Sequence, residues 1–401
     1  MSNGTRTNVR RMYALVVLMV AAVALAACGQ PAPTAEEPPA DGAPAGDATA
    51  EGGTEAAPEA GAEGDGLEEV YAELEGLEGQ ERTDRLVELA EAEQEGQLSL
   101  YTSTNQDESG PLIEAFADQY GLDVDLYRAS AGDLLQRVLQ EAEAGYAGAD
   151  VVGTNGTEMQ IFSREGLLLP LDMPVSEDIV EAARYDNWLG TYLNVFVAGW
   201  NTEALPEGEQ PTSWEQVLTE FPGELALEVG DWDWFMTLVQ DHFMEDEGMT
   251  EEEAVELFKE AARNATIADG HTTMVELMIA GEFPLVASAY QHRMASLAAE
   301  GAPIAWEPAV EPIVMRPNGI GVHRDTDRPA SALLFTEWML TDGQELLPGF
   351  ERTPANSEYG GISDEYELIS VDLDAALDDR DKWEGLYEEV VRESGSAPAE
   401  G

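Results

Sequence analysis

The chain has 401 residues, of which 81 are acidic and 19 basic, for a formal net charge of −62. Lys259 and Lys382 are its only lysines, and without clustered cations to neutralise phosphates both nucleic-acid binding and direct electrostatic attachment to anionic lipid are excluded. Carboxylate runs such as Glu251-Glu252-Glu253 read as a solvated surface suited to a very salty medium, where dissolved ions screen self-repulsion.

Arg6, Arg10 and Arg11 precede an apolar run over 12–27 that ends in small residues, the pattern of a signal peptide spanning 1–27. The run is shorter than the roughly 18–20 residues of a stable membrane span. Leu25-Ala26-Ala27-Cys28 resembles the lipobox of bacterial lipoproteins. That resemblance implies that Cys28, the only cysteine, is lipidated. It then tethers the protein outside the cytoplasm, at the outer face of the cytoplasmic membrane or in a periplasm. From Cys28 to residue 66 the chain is dominated by Ala, Gly, Pro, Glu, Asp and Thr, with no aromatic residue, the composition of a disordered stalk.

Beyond the stalk, Leu86, Leu89 and Ala90 mark one face of a helix over 81–94. A strand over 97–101 ends in Thr102-Ser103-Thr104-Asn105. Ser109 is placed to cap the next helix, in which Leu112, Phe116 and Tyr120 recur every four residues before Gly121 closes it. A strand over 123–127 follows. Ala129-Ser130-Ala131-Gly132 then leads into a helix carrying Leu134, Leu135, Val138 and Leu139, with Ser130 and Asp133 as a capping pair. A strand over 149–152 completes a βαβαβ order, which implies a parallel sheet with helices on its faces. In such sheets ligands sit beyond the carboxyl ends of the strands. The polar clusters at 102–105, 128–132 and 153–157 all fall there.

A second α/β unit starts near 195–201. Thr212 and Glu215 have capping-box spacing, as do Thr250 and Glu253. Between them a strand over 225–229 runs into Gly230-Asp231-Trp232-Asp233-Trp234. A strand over 284–289 precedes a helix over 291–300 with Gly301 at its end. The chain is extended again after Pro308, through Gly319-Ile320-Gly321-Val322, and a helix near 330–340 buries Leu333, Leu334 and Trp338.

Six blocks, in order, resemble the extracellular solute-binding proteins of ABC importers, most closely the ferric-iron (iron(III)) transport subgroup. They include Leu98-Ser99-Leu100-Tyr101-Thr102-Ser103, Arg128-Ala129-Ser130-Ala131-Gly132-Asp133, Ala149-Asp150-Val151-Val152 and Arg316-Pro317-Asn318-Gly319. The resemblance implies an α/β, two-lobed periplasmic-binding-protein-like fold of type II. Each lobe is then a mainly parallel sheet flanked by helices, and crossing strands near 194–197 and 307–316 form the hinge. Lobe one would hold 67–195 and about 310–342, and lobe two about 196–309 and 343–390, before a disordered tail over 391–401. The same resemblance implies a monomer that works with ABC permease subunits.

Ferric members of this group bind metal chiefly through two adjacent tyrosines. Tyr290 matches the second, but Ala289 stands at the first. Asn105 and Asn155 stand where ferric relatives place a histidine and a glutamate. A ferric ion with a synergistic anion, using Tyr290, is therefore the alternative cargo. The residues themselves favour a small anion or organic solute. Thr102, Ser103, Thr104 and Ser130 offer hydroxyls beside helix starts, and Arg128 adds a cation. Asp231, Trp232, His271 and His292 complete the candidate set. Core packing accounts for one of Trp232 and Trp234, and the other is an aromatic cleft wall. His271 and His292 each read equally as plain helix starts, the latter facing solvent. Catalysis has no support. Cys28 is used for anchoring, no Gly-x-Ser-x-Gly elbow or Walker loop occurs, and His242, His271, His292 and His323 lack the zinc-site spacing. A lipoprotein that senses its ligand for a membrane receptor remains the other class.

Overall fold

Residues 65–93, 97–361 and 365–395 are described by the structure, a computed structural model. The expected signal peptide, Cys28, the expected stalk up to residue 64 and the expected tail from residue 396 lie outside the described residues.

Helices α1 (Asp65–Leu74) and α2 (Gly79–Ala92) come first, so helix begins before the end of the expected stalk. Next come β1 (Leu98–Thr102), α3 (Gln106–Tyr120), β2 (Val124–Arg128), α4 (Ala131–Glu143), β3 (Val151–Asn155) and α5 (Gly156–Arg164), in the expected alternation. The long strand β4 (Leu189–Asn201) is buried at every position. It leads to α6 (Trp214–Thr219), β5 (Leu225–Glu228), α7 (Trp232–Thr237), α8 (Glu251–Ala262), β6 (Thr266–Ala268) and α9 (His271–Ala280). The chain continues through β7 (Leu285–Tyr290), α10 (Gln291–Ala299), β8 (Ile304–Ala305), β9 (Ile313–Val322) and α11 (Pro329–Leu340). It ends with β10 (Thr353–Pro354), β11 (Leu368–Ser370), α12 (Leu373–Asp378) and α13 (Arg380–Glu393).

The main path of the sheet runs β2-β1-β3-β9-β4-β7-β5-β6. It is parallel at both ends, where β1 pairs with β2 and β3 and where β5 pairs with β6 and β7. The middle is antiparallel. β9 pairs with β3 and β4, and β4 pairs in turn with β7. Two parallel half-sheets are thus joined by two long crossing strands, the two-lobed arrangement expected from the sequence. Apolar side chains explain why each half holds together. Phe116 packs edge-on against Phe335 and Trp338 in the first, and Trp234 and Phe235 pack edge-on against Phe258 in the second.

Several local expectations shift. The helix after β1 starts three residues before Ser109, with Asn105 as its N-cap. Asp107 and Glu108 occupy its first turn, where the helix dipole favours them, and the Ser109 hydroxyl turns back to donate to the Thr104 carbonyl at 3.2 Å. Ser213, not Thr212, caps α6 by accepting the Gln216 N–H. Thr250 and Glu253 do form the reciprocal capping box. Gly121 closes α3 at φ 72°, a left-handed conformation that costs a residue without Cβ little. The 342–350 segment, all but its first residue expected in lobe two, packs on α3 and α11, because Leu347 is drawn into the apolar core there. Residues 391–393, expected in the tail, are the last turn of α13, with Val390 buried just before them.

Candidate functional site

A cavity of about 880 Å³ opens between the carboxyl ends of the two half-sheets. The ends of β1, β2 and β3 supply one wall through Ser103, Asn105, Arg128, Ser130 and Asn155. Arg128 lies exposed along it and donates to the Asn105 side-chain carbonyl at 3.0 Å and to the Ser103 carbonyl at 3.4 Å. It makes no ion pair with a carboxylate among the described contacts. Ser130 caps α4, accepting the Asp133 N–H at 3.2 Å while donating to the Asp133 carboxylate at 2.8 Å. Asn155 Oδ1 accepts from Asn194 on β4 at 3.1 Å.

Thr102 and Thr104 do not join this wall. Both are buried. The Thr102 hydroxyl accepts the Thr104 N–H, and the Thr104 hydroxyl bonds the Tyr192 hydroxyl at 3.0 Å. They shape the turn behind the wall, because side chains alternate along the strand and its exit and only Ser103 and Asn105 point outward.

The opposite wall is carboxylate-rich. Glu228, at the end of β5, accepts N–H bonds from Gly230 at 2.6 Å and Gly270 at 3.0 Å. Asp231 faces His271 Nε2 at 3.1 Å. His271 opens α9 as expected, and its ring stacks on Tyr290 with centroids 3.9 Å apart and planes 13° from parallel. Trp232 lines the cavity, whereas Trp234 is fully buried in the core, which divides the pair as expected. His292, read from the sequence either as a ligand candidate or as a solvent-facing helix start, lines the cavity and does not face solvent. It is only 8% exposed, because Arg352 Nη1 lies 3.3 Å from its Nδ1 and Tyr290 packs beside it.

Sequence reasoning missed the floor. Arg316 on β9 pairs with Asp233 at 2.5 Å and donates to the Tyr290 hydroxyl at 3.4 Å. Thr157 on α5 donates to the same Asp233 at 2.7 Å, so this carboxylate ties an element of the first half-sheet to the second. Arg352 holds Glu108 through two bonds of 2.7 and 3.0 Å and donates to Asn194 at 3.1 Å. The one hint in the sequence was an arginine inside an apolar strand, Ile313 to Val322.

Burial and charge set the protonation states. Burial, reinforced by the Asp231 charge, raises the Glu228 pKa above the ordinary carboxylate range. For His271 burial opposes the charged form, but Asp231 outweighs it and the pKa is raised. Burial and the Arg352 cation push His292 the other way, keeping it neutral. Burial also pushes the Tyr290 hydroxyl up, so it stays a protonated phenol. At the positions matching the ferric relatives' ligands, one phenol and the amides at 105 and 155 offer fewer anionic oxygens than a hard trivalent ion takes.

The sequence profile of a family described as bacterial extracellular solute-binding protein matches residues 111–356. No curated protein sequence matches the chain. Among solved structures, AfuA from Actinobacillus pleuropneumoniae with exogenous fructose-6-phosphate bound has a TM-score of 0.64 at 19% identity, over 75% of this chain and 99% of that one. Iron-bound HitA from Pseudomonas aeruginosa scores 0.61 at 17% identity, over 74% and 99%. The ferric binding protein from Campylobacter jejuni scores 0.61 at 18% identity, over 73% and 99%. At these identities the likeness is one of fold.

Proposed function

The chain belongs to the bacterial extracellular solute-binding proteins, and from that premise we propose that it is the solute-binding lipoprotein of an ABC uptake transporter. It captures a small organic solute bearing an anionic group between its lobes and delivers it to permease subunits. The observation that carries this reading is the 880 Å³ cavity at the strand ends, lined from both half-sheets and floored by crossing strands. Arg128 supports an anionic group on the solute, since its charge lies at the cavity beside Ser103 and Ser130 with no carboxylate partner among the described residues. The crossing strands β4 and β9 support closure by hinge bending.

The ferric reading rests on the fold shared with HitA and on Tyr290. One experiment separates the two. Purified protein is titrated under thermal-shift readout with small organic and phosphorus-containing anions and, separately, with ferric citrate. A stabilising anion whose effect is lost in Arg128→Ala supports the proposal. A visible tyrosinate–iron colour that vanishes in Tyr290→Phe overturns it in favour of iron.

Lipidation of Cys28 supplies the tether in this reading, and Cys28→Ser then releases the protein from the membrane fraction; retention there contradicts the anchor. The acidic surface suits a saline exterior, so the melting temperature rises with NaCl, and equal stability in dilute buffer and molar salt contradicts that assignment. A genomic neighbourhood with a kinase or chemoreceptor, instead of permease and ATPase genes, marks the sensing role.

A further inference from the structure

We propose that Glu228, Asp231 and His271 form a divalent transition-metal site on the second-lobe wall of the cleft, with open coordination positions facing the solute. This assignment uses residues other than Tyr290 and rests on the reading of the cavity as the ligand site. Each residue contributes one donor atom, and the three donors all lie within 4.8 Å of one another. Around a metal with bonds of about 2.0–2.2 Å, adjacent donors sit about 3 Å apart and opposite ones a little over 4 Å. The 3.1 Å gap between His271 Nε2 and the Asp231 carboxylate matches an adjacent pair. The Glu228 donor lies within 4.8 Å of the other two, so a small side-chain movement completes the set.

The surroundings hold these donors in place. Gly230 and Gly270 N–H groups fix the Glu228 carboxylate and leave each of its oxygens a further lone pair. Tyr290, stacked at 3.9 Å, fixes the plane of the His271 ring. Such supporting contacts are what set ligand orientation around a metal. Charge points the same way. Glu228 and Asp231 are 7% and 2% exposed and share one imidazole, while the nearest buried guanidinium, Arg316, is taken up by Asp233. Two buried carboxylates share a single imidazole, which can balance only one of them, and a bound cation supplies the rest.

Mixed imidazole and carboxylate donors suit Mn²⁺, Co²⁺, Ni²⁺ or Zn²⁺ better than the all-oxygen preference of Mg²⁺ or Ca²⁺. With three protein ligands, the remaining positions are left for a solute in the cavity that Arg128 also lines. A solute whose anionic group bridges the metal and Arg128 draws the two walls together.

The test uses chelator-stripped, purified protein titrated with Co²⁺ and with Zn²⁺ by calorimetry, following the cobalt visible spectrum. The expected result is one tight site with a nitrogen-ligand cobalt spectrum. Affinity falls at least ten-fold in Asp231→Asn and in Glu228→Gln, and the spectrum is lost in His271→Ala. Circular dichroism selects the variants that fold, and any one of the three suffices. Weak, multiple binding that is identical in wild type and all variants overturns the site and assigns the metal to surface carboxylates. A tight response to organic ammonium compounds, lost in Asp231→Asn with no metal response, also overturns it and makes the pocket an amine subsite. If metal binding fails while the anion panel still stabilises the fold through Arg128, only this inference falls. If neither binds, the proposed function falls as well.

Discussion

The two walls of the cleft are built on opposite principles. The first wall presents helix-start hydroxyls, amides and Arg128, whose charge lies along the surface of the cavity. The second presents buried Glu228 and Asp231, a partnered His271 and the ring of Tyr290. Arg316 and Arg352 lie between them on the floor, each locked to a carboxylate. The difference teaches that charges on the first wall are available to a ligand, whereas those on the floor are committed to the fold. Mutating the same residue type on wall and floor therefore has different consequences.

The largest effect is expected on the floor. Arg316→Ala leaves Asp233, 1% exposed, as an unpaired buried charge, and breaking such a pair costs about 3–5 kcal/mol. Denaturant unfolding measures it, and a loss under 1 kcal/mol shows that Asp233 is not committed. The tryptophan pair sharpens the contrast on the second wall. Trp234→Ala removes a fully buried ring packed on Trp214 and Phe258 and costs about 3–5 kcal/mol. Trp232→Ala, at the cavity surface, instead weakens solute binding with little change in stability. Equal stability losses in the two variants contradict the division between core and wall.

Arg128→Ala is expected to leave the melting temperature within a degree or two while weakening anion binding ten-fold or more, as calorimetry reads. A smaller effect follows from His292. Its pKa is lowered in the fold, so below about pH 6.5 the unfolded chain binds the proton that the native state refuses, and stability declines as pH falls. His271, raised, contributes the opposite dependence, with stability lost as pH rises through its folded pKa. The difference between wild type and His292→Gln isolates the first. An identical acid limb in both proteins removes His292 as its source.

These contrasts also explain what was legible in the sequence. Ser103, Asn105, Ser130 and Asn155 could be read because each lies at or just past the end of a strand and before a helix, so local pattern places them at the cleft. Thr102 and Thr104 were misplaced because composition marked the whole cluster as polar, while strand alternation decides which members face outward. The floor was hidden. Arg316 finds Asp233 83 residues away, and Arg352 finds Glu108 244 residues away, so no local spacing announces either pair. Glu228 was hidden for another reason. It ends an apolar strand, and its partners are backbone N–H groups of Gly230 and Gly270, which any residue supplies. The fold itself was readable because the βαβαβ order and the long apolar crossing segments leave few ways to bury their surfaces.

The central claim is that a solute is held between the two walls and draws them together. Small-angle scattering, with the anion that gives the largest thermal shift, measures this directly. The account predicts a smaller radius of gyration at saturation in the wild type, and no change in Arg128→Ala at the same concentration. An unchanged radius in the wild type, with saturation confirmed by calorimetry, contradicts it.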